Sequence, residues 1–256
     1  MSSVITKALA SLTKINLLIE PTICHYYTVI RALYYTKIKR SLSVLESQDA
    51  VKTNALHNLR SLYRANNRME LLLYPLAIIE TLNKDSKILI IGPRNENDLH
   101  RLAGLGFSSR SIVGLDLLSY SPRIKLGDMH DIPFPAEHFD AVVCGWTLSY
   151  STNPQLAINE ILRVTKPQGI VAIGVEYATL SEQDEIKLTG GYAIQEPHKA
   201  GERVNSTSAI KHLCQQHLGH IYFEHDAPNR IGHGKDGLVD NVSNVALIFS
   251  KQIPLQ

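Results

Sequence analysis

The chain has 256 residues, 44% hydrophobic and 20% charged, with a formal net charge of +2. That length suits one substantial core, or a core with an extension. The charge by itself makes no case for nucleic acid or an anionic membrane. Three cysteines, Cys24, Cys144 and Cys214, lie far apart with no CxxC pair. This argues against a disulfide framework or a structural zinc site and fits a reducing, cytoplasmic compartment.

At the N-terminal end, Lys7, Lys14 and Glu20 interrupt the stretch that a signal peptide would keep apolar. With Arg31 and Lys37 they also break any run long enough to span a bilayer. Tyr26, Tyr27, Ile30, Leu33, Tyr34 and Ile38 recur at helical spacing beside Arg31, Lys37, Lys39 and Arg40. Such spacing is what core-packed helices show, so this helix is expected to pack on its own domain or on a second copy as a homodimer contact. Membrane contact is not expected, although a peripheral amphipathic helix has the same pattern. Residues 56–82 continue the helical periodicity. Near residue 85 the pattern changes, giving a helical N-terminal extension over 1–84 and a second unit over 85–256.

In that second unit, strands are expected at 87–92, 111–118, 123–128, 139–147, 169–177, 220–225 and 244–251, with helices at 96–105, 153–165 and 206–218. Strands that alternate with helices and are apolar on both faces predict a Rossmann-like α/β sheet covered on both sides. Ligands of such sheets bind at the carboxyl ends of the strands, here just after Ile91, Leu115, Leu126, Cys144 and Val175. Asp116 ends the second strand, about 20 residues past a strand-turn-helix glycine, where an acceptor-only carboxylate can take both hydroxyls of a ribose. A turn or N-cap aspartate would occupy the same place.

The stretch "GDMHDIPFPAEHFDAVVCGWTLSYSTNPQLAINEILRVTKPQGIVAIGVEY" resembles class I S-adenosylmethionine-dependent methyltransferases, especially those acting on small molecules and lipids. Gly127-Asp128, Ile132-Pro133-Phe134, Phe139-Asp140, Glu160-Ile161, Arg163-Val164 and Lys166-Pro167-Gln168-Gly169 are the matching positions. The upstream "LAGLGFSSRSIVGLDLLSYS" is similar to the family's second-strand region, with Gly104 and Gly106 as a helix stop. The resemblance covers residues 85 to 178 and implies a seven-stranded methyltransferase sheet that binds S-adenosylmethionine. It implies that Asp116 takes the ribose hydroxyls and Asp128 the adenine amino group. The Met129 backbone would read the ring, and the side chains of Met129 and Leu117 would flank it. Gly145 and Trp146 would line the place of methyl transfer, while Asp140, Pro167 and Gly169 would be structural.

The first loop departs from the family's apolar-Asp-x-Gly-x-Gly-x-Gly pattern. Ile90 replaces the acid, Arg94 and Glu96 replace the later glycines, and Gly92 alone is kept before Pro93. The missing glycines would have allowed positive φ and close backbone approach. Backbone N–H groups at the helix start near Glu96 or Asn97 could still face an anion, and Arg94 could pair with the cofactor's carboxylate. Glu96 could receive the cofactor's ammonium or simply favour the helix N-terminus. Arg68 is a second candidate for the carboxylate, or a solvated arginine.

Methyl transfer to a hydroxyl or a protonated amine needs a base. His130, His198 and His233 are the candidates, with Tyr150, Glu176 and Tyr177 as substrate-side walls. The cluster His212, Cys214, His217, His220 and His225 lacks metal-ligand spacing, so no metal is expected. The family's "(N/D)PPY" nucleic-acid motif is absent after the fourth strand. The expected function is methyl transfer to a small molecule, with a sugar or secondary-metabolite hydroxyl favoured. The alternative is a non-catalytic methyltransferase-like protein that binds a partner through its tyrosine-rich helices.

Overall fold

Residues 88 to 91 are all apolar, and alternation sends Ile88 and Ile90 to one side of a sheet and Leu89 and Ile91 to the other. The computed structural model describes residues 17–45, 59, 62–64, 69–178, 204–226 and 242–252. Its seven-stranded sheet contains β2 (Ile88–Ile91), β3 (Ile112–Asp116), β5 (Ile124–Leu126), β6 (Phe139–Gly145), β7 (Thr165–Ala178), β8 (Leu218–Asp226) and β9 (Val242–Lys251). The spatial order is β5-β3-β2-β6-β7-β9-β8. Strands β5 to β7 of that order run parallel, and β9 is antiparallel to both β7 and β8. All seven expected strands are present. The expected 111–118 strand stops at Asp116, and Leu118–Ser119 forms β4, which pairs with β1 (Ser43–Val44) of the extension.

Two apolar layers sandwich the sheet. On one side, Leu89, Ile91, Val142 and Cys144 meet α4 (Pro154–Val164) and α5 (Thr207–Cys214) through Ile158, Ile161 and Ile210. On the other side, Ile88, Ile90 and Val143 meet α2 (Glu70–Leu76) and α3 (Asn97–Gly104) through Leu72, Leu76, Leu99 and Leu102. Residues 69–79 are therefore built into the sheet's own core. Asn153 caps α4 by accepting the Leu156 N–H at 3.1 Å, and Ser206 caps α5 through Ala209 N–H at 3.1 Å.

The extension docks through α1 (Pro21–Leu33), which a π-helical turn, Tyr34–Ile38, prolongs. Glu20 accepts the Ile23 N–H at 2.8 Å and Pro21 opens the helix, a strong start signal. Gly104 does more than end a helix. A Cβ there would strike the Leu18 carbonyl and the Ile19 nitrogen, so glycine lets the short turn Leu17–Ile19 lie against α3. The stop itself is Gly106, at φ +107°.

Candidate functional site

The loop after β2 turns at two left-handed residues. Gly92 has φ +69°, and any Cβ there would collide with Thr147 Oγ1, whose hydroxyl donates to the Ile91 carbonyl at 3.2 Å. Pro93 packs into the space that Gly114 leaves on β3. Arg94 has φ +54°, a conformation costing an L-residue about 1–2 kcal/mol. Its amide is repaid by a 3.1 Å hydrogen bond to Asp116 Oδ2, while Asp116 Oδ1 accepts the Leu118 N–H at 3.0 Å. Asp116 thus stands at the end of β3 as expected, buried, and serves as the staple that shapes the glycine-poor loop.

The helix start that follows is satisfied internally. Glu96 N–H donates to the Tyr120 hydroxyl at 2.8 Å, and Asn97 N–H to Asn95 Oδ1 at 2.9 Å. Asn95 in turn donates to the Leu62 carbonyl of the extension at 2.8 Å. These amides are engaged within the protein, which corrects the expectation that they face an anionic group. Glu96 is corrected more sharply. Its carboxylate is fully buried and accepts from Arg31 Nε at 2.5 Å, from the other arm of that guanidinium at 2.9 Å, and from Ser121 Oγ at 2.6 Å. Burial pushes its pKa upward, but the bonds from Arg31 and Ser121 and the nearby His100 outweigh it, leaving the carboxyl below its ordinary range. Glu96 therefore binds helix α1, through a residue that sequence spacing could not nominate.

Asp98, two residues on in the first turn of α3, is the acid that sequence reasoning passed over. It is buried, and desolvation pushes its carboxyl up to about 7, although the charges of Arg94 and Arg101 and a hydrogen bond from Asn97 pull it down. Arg94 is half-buried and acts on Asp98 electrostatically. Glu70 on α2 and Arg101 on α3 close this corner with a 2.8 Å ion pair.

After β5, Asp128 is partly exposed and its Oδ1 accepts both the His130 N–H at 2.9 Å and His130 Nδ1 at 2.6 Å. The hydrogen bond from His130, opposed by desolvation, holds the Asp128 carboxyl below its usual range. The far side of the ring, His130 Nε2, meets Ser151 Oγ at 2.7 Å, and Ser151 also accepts the Asn153 N–H at 3.1 Å. In the neutral ring, an ionised Asp128 selects the tautomer with the proton on Nδ1, and Nε2 then accepts from the serine hydroxyl. Met129 is buried and Leu117 half-buried beside these carboxylates. Glu160 and Arg163 clamp the same loop. Ile132 N–H donates to Glu160 Oε2 at 2.8 Å, and Arg163 donates to the carbonyls of Phe134 at 2.9 Å and Ile132 at 2.8 Å. Asp140 accepts the Lys87 N–H at 2.8 Å and pairs with Lys166 at 2.6 Å, the structural role the resemblance implies.

Past β6 the placement departs from expectation. Trp146 has φ +60°, which turns its ring back into the core against Gly174 and Leu72. Its indole N–H donates to Asn244 Oδ1 at 3.1 Å, and only 5% of the residue is exposed. Gly145 is covered by Met69, whose sulfur occupies the space of a Cβ. Both are core positions here, not open walls. Tyr150 lies half-buried in the turn Leu148–Tyr150, and half-buried Glu176 sits on β7 next to Ser149. Tyr177 is on β7, but its side chain, with Arg68, His198 and His233, lies outside the described residues. Of the histidine–cysteine cluster, Cys214 is buried and His212 and His220 are exposed.

The strand order, the single antiparallel strand and the carboxylates ending β3 and following β5 define the class I methyltransferase fold. Residues 100–173 match the family model described as "Methyltransferase domain". That stretch is similar to methyltransferase domains, and the sheet has the fold of the class I S-adenosylmethionine-dependent methyltransferases, whose cofactor is S-adenosylmethionine. Among curated proteins, the bifunctional biotin biosynthesis protein BioHC of Teredinibacter turnerae is 26% identical over 113 residues. That alignment covers 43% of this chain but 19% of BioHC, so the chain spans about a fifth of the relative it matches. Among solved structures, the complex of the Haloferax volcanii Trm112 methyltransferase activator with a methyltransferase aligns at TM-score 0.56 and 15% identity, covering 82% of this chain and all of the other. The cyclase SpnF aligns at TM-score 0.53 and 16% identity, covering 83% and 99%. These likenesses are of fold. A cyclase among them shows that the fold alone does not fix methyl transfer.

No helix among the described residues is long and apolar enough to cross a membrane.

Proposed function

We propose that this protein transfers the methyl group of S-adenosylmethionine to a small-molecule acceptor, with a hydroxyl favoured. The observation that carries this reading is the pair Asp116 and Asp128, at the carboxyl ends of the neighbouring strands β3 and β5. Their surroundings suit the nucleoside half of the cofactor. Asp116 is an acceptor-only carboxylate suited to ribose hydroxyls, Asp128 takes both of its His130 bonds on Oδ1 and can offer Oδ2 to an exocyclic amine, and Leu117 and Met129 supply apolar flanks. At the amino-acid half, Glu96 is committed to Arg31, so Arg94 and Asp98 are the charged groups assigned to the cofactor's carboxylate and ammonium.

When bound, the cofactor supplies an electrophilic methyl on a sulfonium. What the chain adds is orientation and a proton acceptor. His130 is held by Asp128 with Nε2 already facing a hydroxyl, that of Ser151. An acceptor hydroxyl in place of Ser151 would meet a base oriented in the same way, and this favours oxygen. Tyr150 and Glu176 are assigned to the acceptor side, together with Tyr177; His198 and His233 stay as candidate bases in loops outside the described residues.

A second reading is supported by the internally bonded loop amides and by Met69 over Gly145. In it, the protein is a methyltransferase-like binding protein without catalysis. Calorimetry with S-adenosylmethionine and S-adenosylhomocysteine separates the two. The enzyme reading expects both to bind, and expects Asp116→Ala to weaken binding by about 1–3 kcal/mol through unpaired ribose donors. No binding of either at millimolar concentration would leave only the second reading.

A further inference from the structure

Helix α1 is turned the unexpected way round. The face it sets against the domain is small and polar. Cys24, Thr28 and Ala32 are buried, the Cys24 thiol lies 3.6 Å from Asn97 Oδ1, and Thr28 Oγ1 meets His100 Nδ1 at 2.8 Å. The outward face is apolar and aromatic. Ile19, Ile23, Tyr26, Ile30, Tyr34 and Ile38 are each 41–71% exposed. At about 100° per residue, the helical members of this set share one narrow stripe opposite Cys24, Thr28 and Ala32. The Arg31–Glu96 pair, buried on its carboxylate side, fixes this rotation, because any roll that buried the stripe would break it.

Beyond Glu20 at the helix start, the charge along the helix and its continuation has one sign. From Pro21 to Leu45 the sequence contains no Asp or Glu. Arg31 is used inward, so the outward cations are Lys37, Lys39 and Arg40, all exposed at the far end, with Lys39 over the Tyr34 ring. The edge continues onto α2 and the turn after it, where Tyr74 and Ile78 respectively are exposed, and Arg101 joins the Ile19 carbonyl to the Tyr74 hydroxyl. We propose that this outward face of α1 and its π-helical continuation docks on an anionic lipid bilayer. Aliphatic residues for the acyl boundary, tyrosines for the interface and lysine or arginine at headgroup level are the composition such a surface binds. The helix would lie in the membrane plane and not cross it.

A second copy of the chain suits the face less well. Among the described residues 17–45, self-pairing would set three cations per copy against a single carboxylate, Glu20, which already caps the Ile23 amide. The overall charge of +2 gave no hint of this, because the acids that balance the cations lie elsewhere in the chain.

The test is flotation of the full chain with phosphatidylcholine vesicles, with and without about a third phosphatidylglycerol. Co-flotation is expected with the anionic vesicles only, falling as salt rises. Replacing Lys37, Lys39 and Arg40 by Gln should lower the partition about a hundredfold, at roughly 1 kcal/mol for each charge. The double variant Tyr26→Glu/Ile30→Glu should abolish it, with circular dichroism unchanged because both sites are exposed. Absence of flotation with anionic vesicles would overturn the proposal, as would flotation unaffected by both variants. So would a dimer, seen by light scattering, that Tyr26→Glu/Ile30→Glu dissociates while lipid binding is nil. That last outcome would assign the face to a second copy. None of these readouts depends on methyl transfer, so the proposal stands or falls apart from the cofactor assignment.

Discussion

Removing Arg31 should cost far more than its partly exposed position suggests. Its side chain is one quarter exposed, whereas the Glu96 side chain it holds has no exposure at all. In Arg31→Met, Glu96 keeps only Ser121 Oγ at 2.6 Å and a neutral His100 ring 3.7 Å away. An uncompensated buried charge of this kind costs about 3–5 kcal/mol. In Glu96→Gln the orphaned group is instead Arg31, which can turn towards water, so the loss should be nearer 1–2 kcal/mol. The double variant Arg31→Met/Glu96→Leu removes both charges and replaces them with similar volume, and should recover most of the deficit. Equilibrium urea unfolding, followed by circular dichroism and by the single tryptophan, Trp146, reads all three. Equal losses for Arg31→Met and Glu96→Gln would refute the reasoning, and so would a double variant no more stable than Arg31→Met. Either result would mean that water reaches Glu96.

The neighbouring His100 ties the same contact to pH. Burial holds its pKa down at about 4, against the pull of Glu96, and its Nε2 has no hydrogen-bond partner. The unfolded chain therefore takes the proton first, so this group's stability is complete above about pH 6.5 and is lost as pH falls towards 4, by roughly 3 kcal/mol. His100→Gln should flatten that slope in unfolding curves taken across the range; an unchanged slope would show the ring to be solvated. Asp98 acts in the opposite sense. Its folded pKa of about 7 lies above the unfolded value, so the wild-type protein loses stability as pH rises from about 4 to 7. Asp98→Asn should therefore raise the unfolding free energy by roughly 2–4 kcal/mol at pH 8 and leave it unchanged near pH 4. Gly92→Ala should lower it by about 2–4 kcal/mol, through positive φ and collision with Thr147, as a shift in urea midpoint without a change of slope.

Much of this was legible from residue patterns. Continuous apolar runs marked the buried strands, and Asp116 and Asp128 fell at strand ends because sheet topology fixes those ends. What the patterns could not carry was partner identity. Glu96 sat at the right loop position, yet its partner comes from Arg31, in a helix brought close only by tertiary packing. Trp146 follows β6 as expected, but its positive φ reverses the side chain, and nothing in a tryptophan announces that. His130 was singled out by position, whereas its link to Ser151 depends on how the turn after β6 folds back. Periodicity showed that α1 has two unlike faces. It could not say that Cys24 and Thr28, through hydrogen bonds to Asn97 and His100, would take the inside with Ala32.

The misreading of Glu96 has its cause in the loop itself. A glycine-rich first loop has bare backbone that can approach a ligand closely, and few side chains with which to fix itself. Here Asn95 and Glu96 fix the loop to the extension, through the Leu62 carbonyl and the Arg31 guanidinium, and Asp116 fixes Arg94 from the sheet side. Loop geometry and α1 docking are consequently one structural unit. A displacement of the Arg94–Glu96 turn large enough to admit a ligand amino acid must strain the Arg31 pair, and an α1 held on a surface must hold that turn in place. Where ligand entry displaces that turn and α1 is held on a surface, the two would be linked in free energy, each altering the other by the same factor. A bare glycine loop, with no side chain to pass the strain on, could not make that connection.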